Sequence, residues 1–230
     1  MDELHRALLS VGFSAGPDLG LVLAGGYALA AHEIVDRPSR DIDFATATAL
    51  PLPVVADRLV GAYRKAGYVA ELVESTPRMA RLLVSTASSV CEVDLLKEAI
   101  GPPAQLSIGP VLAFEDAVGL KVRALHDRAA HRDYIDVHAA YSRFGWRDLE
   151  ALGARHTAGF SLEDLGDRLG ATDELDEKTF AAYGLSEADI SALLGWTAAW
   201  EADIRARLAA GEGGPAGPSE SEWDSYLDPQ

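Results

Sequence analysis

The chain has 230 residues, 48% of them apolar and 24% charged, which excludes wholesale disorder and leaves room for one α/β core or two small lobes. Twenty basic against 36 acidic side chains give a net charge of −16, which excludes a protein that grips nucleic acid with its whole surface. A single cysteine, Cys91, excludes an intrachain disulfide and a cysteine-built zinc cage; with no apolar run of about 18 residues and an acidic start at Met1-Asp2-Glu3, the expectation is a soluble, cytoplasmic protein with no membrane partner.

In chain order, short β-like runs are expected at Leu21–Ala24, Asp41–Ala45, Val69–Val73, Ala80–Thr86 and Val90–Leu96, with helical patterns at Tyr27–Val35 and Pro53–Ala66 between them. From Phe114 the pattern is helical throughout: Phe114–Ala129, Arg132–Arg143, Trp146–His156, Ser161–Leu169, Asp173–Tyr183 and Ser186–Ala209 are separated by Gly, Ser, Thr or Asp breaks. The class expected is α+β, with a mixed sheet and flanking helices over residues 1–113 and an all-helical lobe over 114–210. Residues 211–230 are rich in Gly, Pro, Ser and acid, the composition of a flexible acidic tail. Residues 1–145 carry net −4 and residues 146–230 net −12, so the two parts serve different roles.

The stretch Leu21 to Thr46, LVLAGGYALAAHEIVDRPSRDIDFAT, holds most of the chemistry. Gly25-Gly26 follows an apolar strand and precedes a helix, a tight turn whose backbone N–H groups can cradle phosphate, although such a turn can also be only a turn. Asp41 and Asp43 alternate with Ile42 and Phe44 on the next strand, so both carboxylates leave one face while the apolar pair enters the core. Two hard oxygen ligands side by side suit Mg²⁺, which completes its shell with water and substrate phosphates. Other acid-x-acid pairs, such as Glu187/Asp189 and Glu201/Asp203, read as solvated faces; Asp41/Asp43 stand apart because of the Gly-Gly turn and the entry Arg37-Pro-Ser-Arg40, where Ser39 and Arg40 can meet phosphate oxygens. Asp94, on the strand Val90–Leu96, is a candidate third carboxylate, or one residue of a wet strand face. Lys121, Arg128 and Arg132 fall at steps of 7 and 4 in a region that also carries Arg123, His126 and His131, either a phosphate-binding stripe or a solvated face. Cys91 reads as a core thiol and the histidines as surface or capping residues, with no metal spacing among them.

Three ordered blocks, LAGGYALAAH, RPSRDIDFAT and a K-x-x-x-L-x-x-R-x-x-x-R-D-Y-x-D pattern from Lys121 to Asp136, resemble the nucleotidyltransferase superfamily with the DNA polymerase β-like fold, in particular its AbiEii/AbiGii and MenT toxin branch. The resemblance spans roughly Leu21 to Tyr141. It implies that Gly25, Gly26 and Ser39 hold an NTP, that Asp41 and Asp43 bind Mg²⁺, that Lys121 contacts the nucleotide phosphates, and that Asp136 is a second essential acid. Asp94 takes a third-carboxylate position. The first block departs from the family by having Gly-Gly-Tyr where much of it has Gly-Ser, and a charge of −16 is an awkward match to RNA. The activity implied is Mg²⁺-dependent transfer of a nucleoside monophosphate to an acceptor hydroxyl at a tRNA 3′ end, by a toxin paired with a cognate antitoxin. An antibiotic nucleotidyltransferase for aminoglycosides or lincosamides, or a nucleotide-binding module without catalysis, are the alternatives.

One geometric expectation follows. A straight helix would hold Lys121 and Asp136 about 22 Å apart along its axis, so the implied pairing requires a break near 129–133, with Asp133 capping the second helix.

Overall fold

The protein is described here by a computed structural model covering residues 1–37, 39–219 and 221–222, with the backbone alone at Asp173. It divides into two compact units, one of residues 1–117 with Ser221 and Glu222, the other beginning at Val118 inside a helix.

The first unit is built on a seven-stranded mixed sheet among the described residues, with spatial order β3-β4-β5-β2-β1-β7-β6. The strands are β1 (Val22–Leu23), β2 (Asp41–Thr46), β3 (Val69–Ser75), β4 (Met79–Ser85), β5 (Val90–Lys97), β6 (Ala104–Leu106) and β7 (Gly109–Val111). The central β2 runs antiparallel to β1 and parallel to β5, with Asp41 opposite Glu92 and Asp43 opposite Asp94. Its alternate residues Ile42 and Phe44 are fully buried, as are Val93 and Leu95 on β5, so the facing rows form the core and fix the register. A one-residue slip would drive the carboxylates into that core.

Helix α1 (Glu3–Ser14) starts at Asp2, whose carboxylate accepts from His5 N at 2.8 Å, and it buries His5, Leu8, Leu9 and Gly12 at helical spacing. Helix α2 (Gly25–Ala31) follows β1, and α3 (Leu52–Lys65) covers the sheet with Leu52, Val55, Ala56, Leu59, Val60 and Tyr63. Tyr63 Oη donates to Leu8 O at 3.2 Å, tying α3 to α1.

Two elements of this unit lie outside the expected set. The first is α1. The second is the β6–β7 hairpin, whose strands of three residues are too short for a visible alternation and which carries Pro110, a residue tolerated only where its missing N–H is not needed. Gly109, at φ +126, lets Phe13 pass so close that a Cβ there would lie 2.6 Å from its ring.

From Phe114 every regular element among the described residues is helical, as expected: α4 (Phe114–Asp127), α5 (His131–Ala140), α6 (Trp146–Ala154), α7 (Leu162–Gly170), α8 (Glu177–Ala182) and α9 (Glu187–Ala209). The expected helix at Asp173–Tyr183 is divided into a 3₁₀ turn at Ala171–Glu174 and α8, because Asp176 caps the second piece by accepting from Lys178 N at 3.0 Å. The second unit is organised around α9, on which α5, α7 and α8 pack. Beyond α9, Gly214 and Gly217 pass against the unit so closely that a Cβ at Gly217 would lie 2.2 Å from Thr157 O, and Glu212 pairs with Arg147 at 3.2 Å. The last part of the expected flexible tail, with Trp223 and Tyr226, lies outside the described residues. No described helix is long and apolar enough to cross a membrane.

Candidate active site

Asp41 and Asp43 project from the face of β2 opposite the core, and each is partly exposed. Gly25, the first residue of α2, lies directly against Asp43: at φ +60 it takes the left-handed conformation, and a Cβ would fall 1.7 Å from Asp43 Oδ2. Ala24 N donates to Asp43 O at 2.8 Å, so turn and strand are locked together. Gly25 is required on both counts, by its conformation and by the carboxylate. Replacing Gly25 with Ala is expected to abolish nucleotide transfer and to lower the melting temperature, because left-handed backbone costs an L-residue about 1–2 kcal/mol before the clash with Asp43 is counted; a thermal scan beside an NTP turnover assay checks both effects.

The second glycine faces the loop that enters β2. A Cβ at Gly26 would lie 3.1 Å from Ser39 Oγ and 3.3 Å from Arg37 Nη2. Ser39 Oγ donates to Asp41 Oδ1 at 2.9 Å. The Gly-Gly turn, Ser39, Asp41 and Asp43 are therefore brought together as one cluster. The guanidinium beside Gly26 is that of Arg37, while Arg40 is exposed.

Asp94 stands opposite Asp43 in register, and both its oxygens accept from one guanidinium: Arg81 Nε at 2.8 Å and Arg81 Nη2 at 2.7 Å. Arg81 also approaches Glu92 at 3.5 Å. The hydrogen bonds to Asp94 hold the arginine's pKa above its usual value. Sequence reading missed Arg81; the signal was its place on β4, directly across from Asp94.

The donor set fits a hard divalent cation. Asp41 and Asp43 offer carboxylate oxygens on one sheet face, with Gly25 lacking the Cβ that would strike Asp43, while Asp94 and Glu92 on the neighbouring strand meet Arg81. Among the described residues no group of three His, Cys, Asp or Glu side chains could hold a metal ion. Such a site leaves coordination positions to water and substrate phosphates, which is the habit of Mg²⁺ and unlike that of structural zinc.

Lys121 and Asp136 meet as the expected break requires. Helix α4 ends at Asp127, Ala129 takes φ +50 while its N–H returns to Ala124 O at 3.1 Å, and α5 begins at His131. Lys121 Nζ then lies 2.8 Å from Asp136 Oδ2, with Asp136 fully buried. Two details differ from expectation. Asp133 sits at the third position of α5 rather than at its cap, accepting from Ala130 N at 3.2 Å and from Arg128 Nε at 2.9 Å. The break also divides the expected stripe, leaving Lys121 on α4, Arg128 beyond its end and Arg132 on α5.

Cys91 is buried on β5, and burial first, then the nearby Asp2 and Asp41 carboxylates, pushes its thiol up to about 12. It is a core thiol with negligible thiolate at neutral pH, hence no nucleophile.

A model of the nucleotidyl transferase AbiEii toxin family, of type IV toxin–antitoxin systems, matches residues 8–227. The chain belongs to the AbiEii nucleotidyltransferase toxin family. The AbiEii match encloses every residue of the cluster. Solved structures share the fold: a candidate nucleotidyltransferase from H. pylori is 16% identical, with 92% of this chain and 99% of that one covered at a TM-score of 0.56. JHP933 from Helicobacter pylori is also 16% identical, with 91% and 97% covered at 0.53. MenT4, a nucleotidyltransferase toxin from Mycobacterium tuberculosis, is 22% identical over 89% of this chain and 82% of that one, at 0.45. No curated protein matches the chain. As an AbiEii protein it is a nucleotidyltransferase, and the resemblance to the AbiEii toxin branch read from the three blocks holds.

Proposed function

We propose that the protein transfers a nucleoside monophosphate from an NTP to an acceptor hydroxyl in a Mg²⁺-dependent reaction, that the acceptor is a tRNA 3′ end, and that it does so in the cytoplasm as the toxin of a type IV-like pair neutralised by a cognate antitoxin. The observation that carries the reaction type is the Asp41–Asp43 pair held against the Gly25-Gly26 turn, a carboxylate pair and a phosphate cradle built by the same two strands.

In this reading Asp41 and Asp43 hold the cation, which lowers the charge developing on the phosphates. The backbone N–H groups at Gly26 and the hydroxyl of Ser39 receive the triphosphate, beside the Arg37 guanidinium. The acceptor oxygen attacks the α-phosphorus, the bond to the β-phosphate bridging oxygen breaks, and pyrophosphate leaves with that electron pair; the hydroxyl proton passes to a carboxylate or water. Asp94 becomes available as a third carboxylate only by exchanging Arg81. Lys121 supplies a compact cation for the nucleotide phosphates, and the buried Asp136 orients it rather than taking a proton from an acceptor that cannot reach it.

A net charge of −16 favours one rival acceptor, a polycationic aminoglycoside. Incubating the protein with Mg²⁺, each α-labelled NTP and either total tRNA or an aminoglycoside and lincosamide panel separates them. Label on tRNA supports the proposal, label on an antibiotic replaces it, and tight Mg²⁺·NTP binding without turnover would make the protein a binding module.

A further inference from the structure

Ser39 carries its hydroxyl to Asp41 from a loop without regular secondary structure, and the contacts that place it come from elsewhere in the first unit. Tyr27, the residue that distinguishes the Gly-Gly-Tyr block, donates from Oη to Ser39 O at 3.2 Å. The same Oη lies 2.5 Å from His5 Nδ1 on α1. Ser39 O can only accept, so when the tyrosine proton serves it, the complementary His5 tautomer carries its hydrogen on Nδ1, toward Tyr27 Oη. His5 and Tyr27 are both buried, and their rings meet edge to face at 5.5 Å and 79°. His5 is fixed in turn by α1, whose cap Asp2 accepts from its backbone N–H and stands 3.5 Å from its ring.

These contacts form one continuous line from α1 to the carboxylate pair: His5 to Tyr27, Tyr27 to the Ser39 carbonyl, Ser39 Oγ to Asp41 Oδ1. We propose that Tyr27 and His5 are positioning residues of the nucleotidyl-transfer site, acting through Ser39 to set the orientation of the Asp41 carboxylate. The inference rests on the reading of Asp41 as a metal ligand. It assigns a function to α1 and to Tyr27, whose aromatic hydroxyl holds the loop that delivers Ser39. A ligating carboxylate must be aimed as well as present, and losing a partner that aims it typically costs about 10- to 100-fold in metal affinity or activity.

The test compares wild type with Tyr27→Phe, Ser39→Ala and the double variant. The readouts are thermal unfolding, kcat and KM for NTP, and Mn²⁺ affinity by electron paramagnetic resonance in the presence of non-hydrolysable ATP, CTP, GTP and UTP analogues. Tyr27→Phe keeps the ring and its contact with His5 and removes only the hydroxyl. The expected result is a drop of about tenfold or more in Mn²⁺ affinity and in kcat, with the unfolding temperature close to wild type. The double variant should lose no more than Ser39→Ala alone, since both changes interrupt one line. His5→Ala should show the same loss and His5→Asn, which keeps a donor near the Nδ1 position, should recover most of it. Unchanged Mn²⁺ affinity in Tyr27→Phe, or losses from Tyr27→Phe and Ser39→Ala that add, would overturn the positioning role. If Tyr27→Phe does not fold, equal Mn²⁺ affinity in His5→Ala and His5→Asn would overturn it and a recovery in His5→Asn would support it. Wild type that binds Mn²⁺ through this line yet turns over no NTP contradicts the functional reading and leaves the positioning intact, so the two failures are distinct.

Discussion

Asp41→Asn and Asp43→Asn are each expected to reduce nucleotide transfer by about a thousandfold or more while leaving the protein folded. Each change removes one negative charge and almost no volume from the exposed side of β2, and the buried residues that hold the strand, Ile42 and Phe44, are untouched. The Ser39 hydroxyl still finds an acceptor in the amide oxygen at position 41. What is lost is charge-assisted stabilisation of the phosphates in the transition state, worth several kcal/mol, and each 1.36 kcal/mol is a factor of ten in rate. Initial rates of pyrophosphate release, alongside thermal unfolding, check this. Retained activity in the doubly substituted protein would remove Asp41 and Asp43 from the chemistry. Unfolding of either variant would mean that the pair is structural.

The largest effect on stability is expected in the second unit, at Glu150. Its carboxylate is 1% exposed and accepts from Trp200 Nε1 at 2.9 Å, from Arg207 Nη1 at 2.9 Å and from Arg207 Nη2. Arg207 is itself buried, and its Nε donates to Asp203 at 2.8 Å. Two buried ions in mutual contact add little net stability, because desolvation offsets most of their attraction, but removing one partner strands the other. Arg207→Met is therefore expected to cost about 3–5 kcal/mol, a large share of an ordinary domain's stability. The paired change Glu150→Leu with Arg207→Met is expected to recover most of that loss, because it leaves no uncompensated charge inside. Urea unfolding of Arg207→Met, Glu150→Leu and the double variant measures the coupling. A double variant as unstable as the sum of its parts would show that packing, rather than the stranded carboxylate, sets the cost.

The parts of this molecule legible in its sequence are those where pattern and chemistry coincide locally. The strand carrying Asp41 and Asp43 announces itself by alternation with Ile42 and Phe44, and the helical run from Phe114 by its period. The break between α4 and α5 followed from the resemblance, which implies that Lys121 and Asp136 serve one site, joined to the distance that would separate them along one straight helix. The residues that escaped are those defined by partners remote in sequence. Arg81 is an ordinary strand arginine until β4 pairs with β5 and sets it across from Asp94. Tyr27 and His5 touch over 22 residues of chain, and nothing near either one signals the contact. Helix α1 was within reach, since Asp2 as cap and His5, Leu8, Leu9 and Gly12 at helical spacing are a readable signature. The β6–β7 hairpin was not, because strands of three residues held by a neighbour carry no periodicity of their own.

In the proposed reaction Asp41 and Asp43 hold a divalent cation against a triphosphate received at Gly26 and Ser39. A crystal structure of the protein with Mn²⁺ and a non-hydrolysable NTP tests it most directly, because anomalous scattering locates the metal independently of the nucleotide. The expected result is an anomalous peak within about 2.0–2.6 Å of oxygens from both Asp41 and Asp43, with phosphate oxygens completing the shell and the triphosphate in contact with Gly26 N and Ser39 Oγ. Metal and triphosphate bound away from this pair would contradict it.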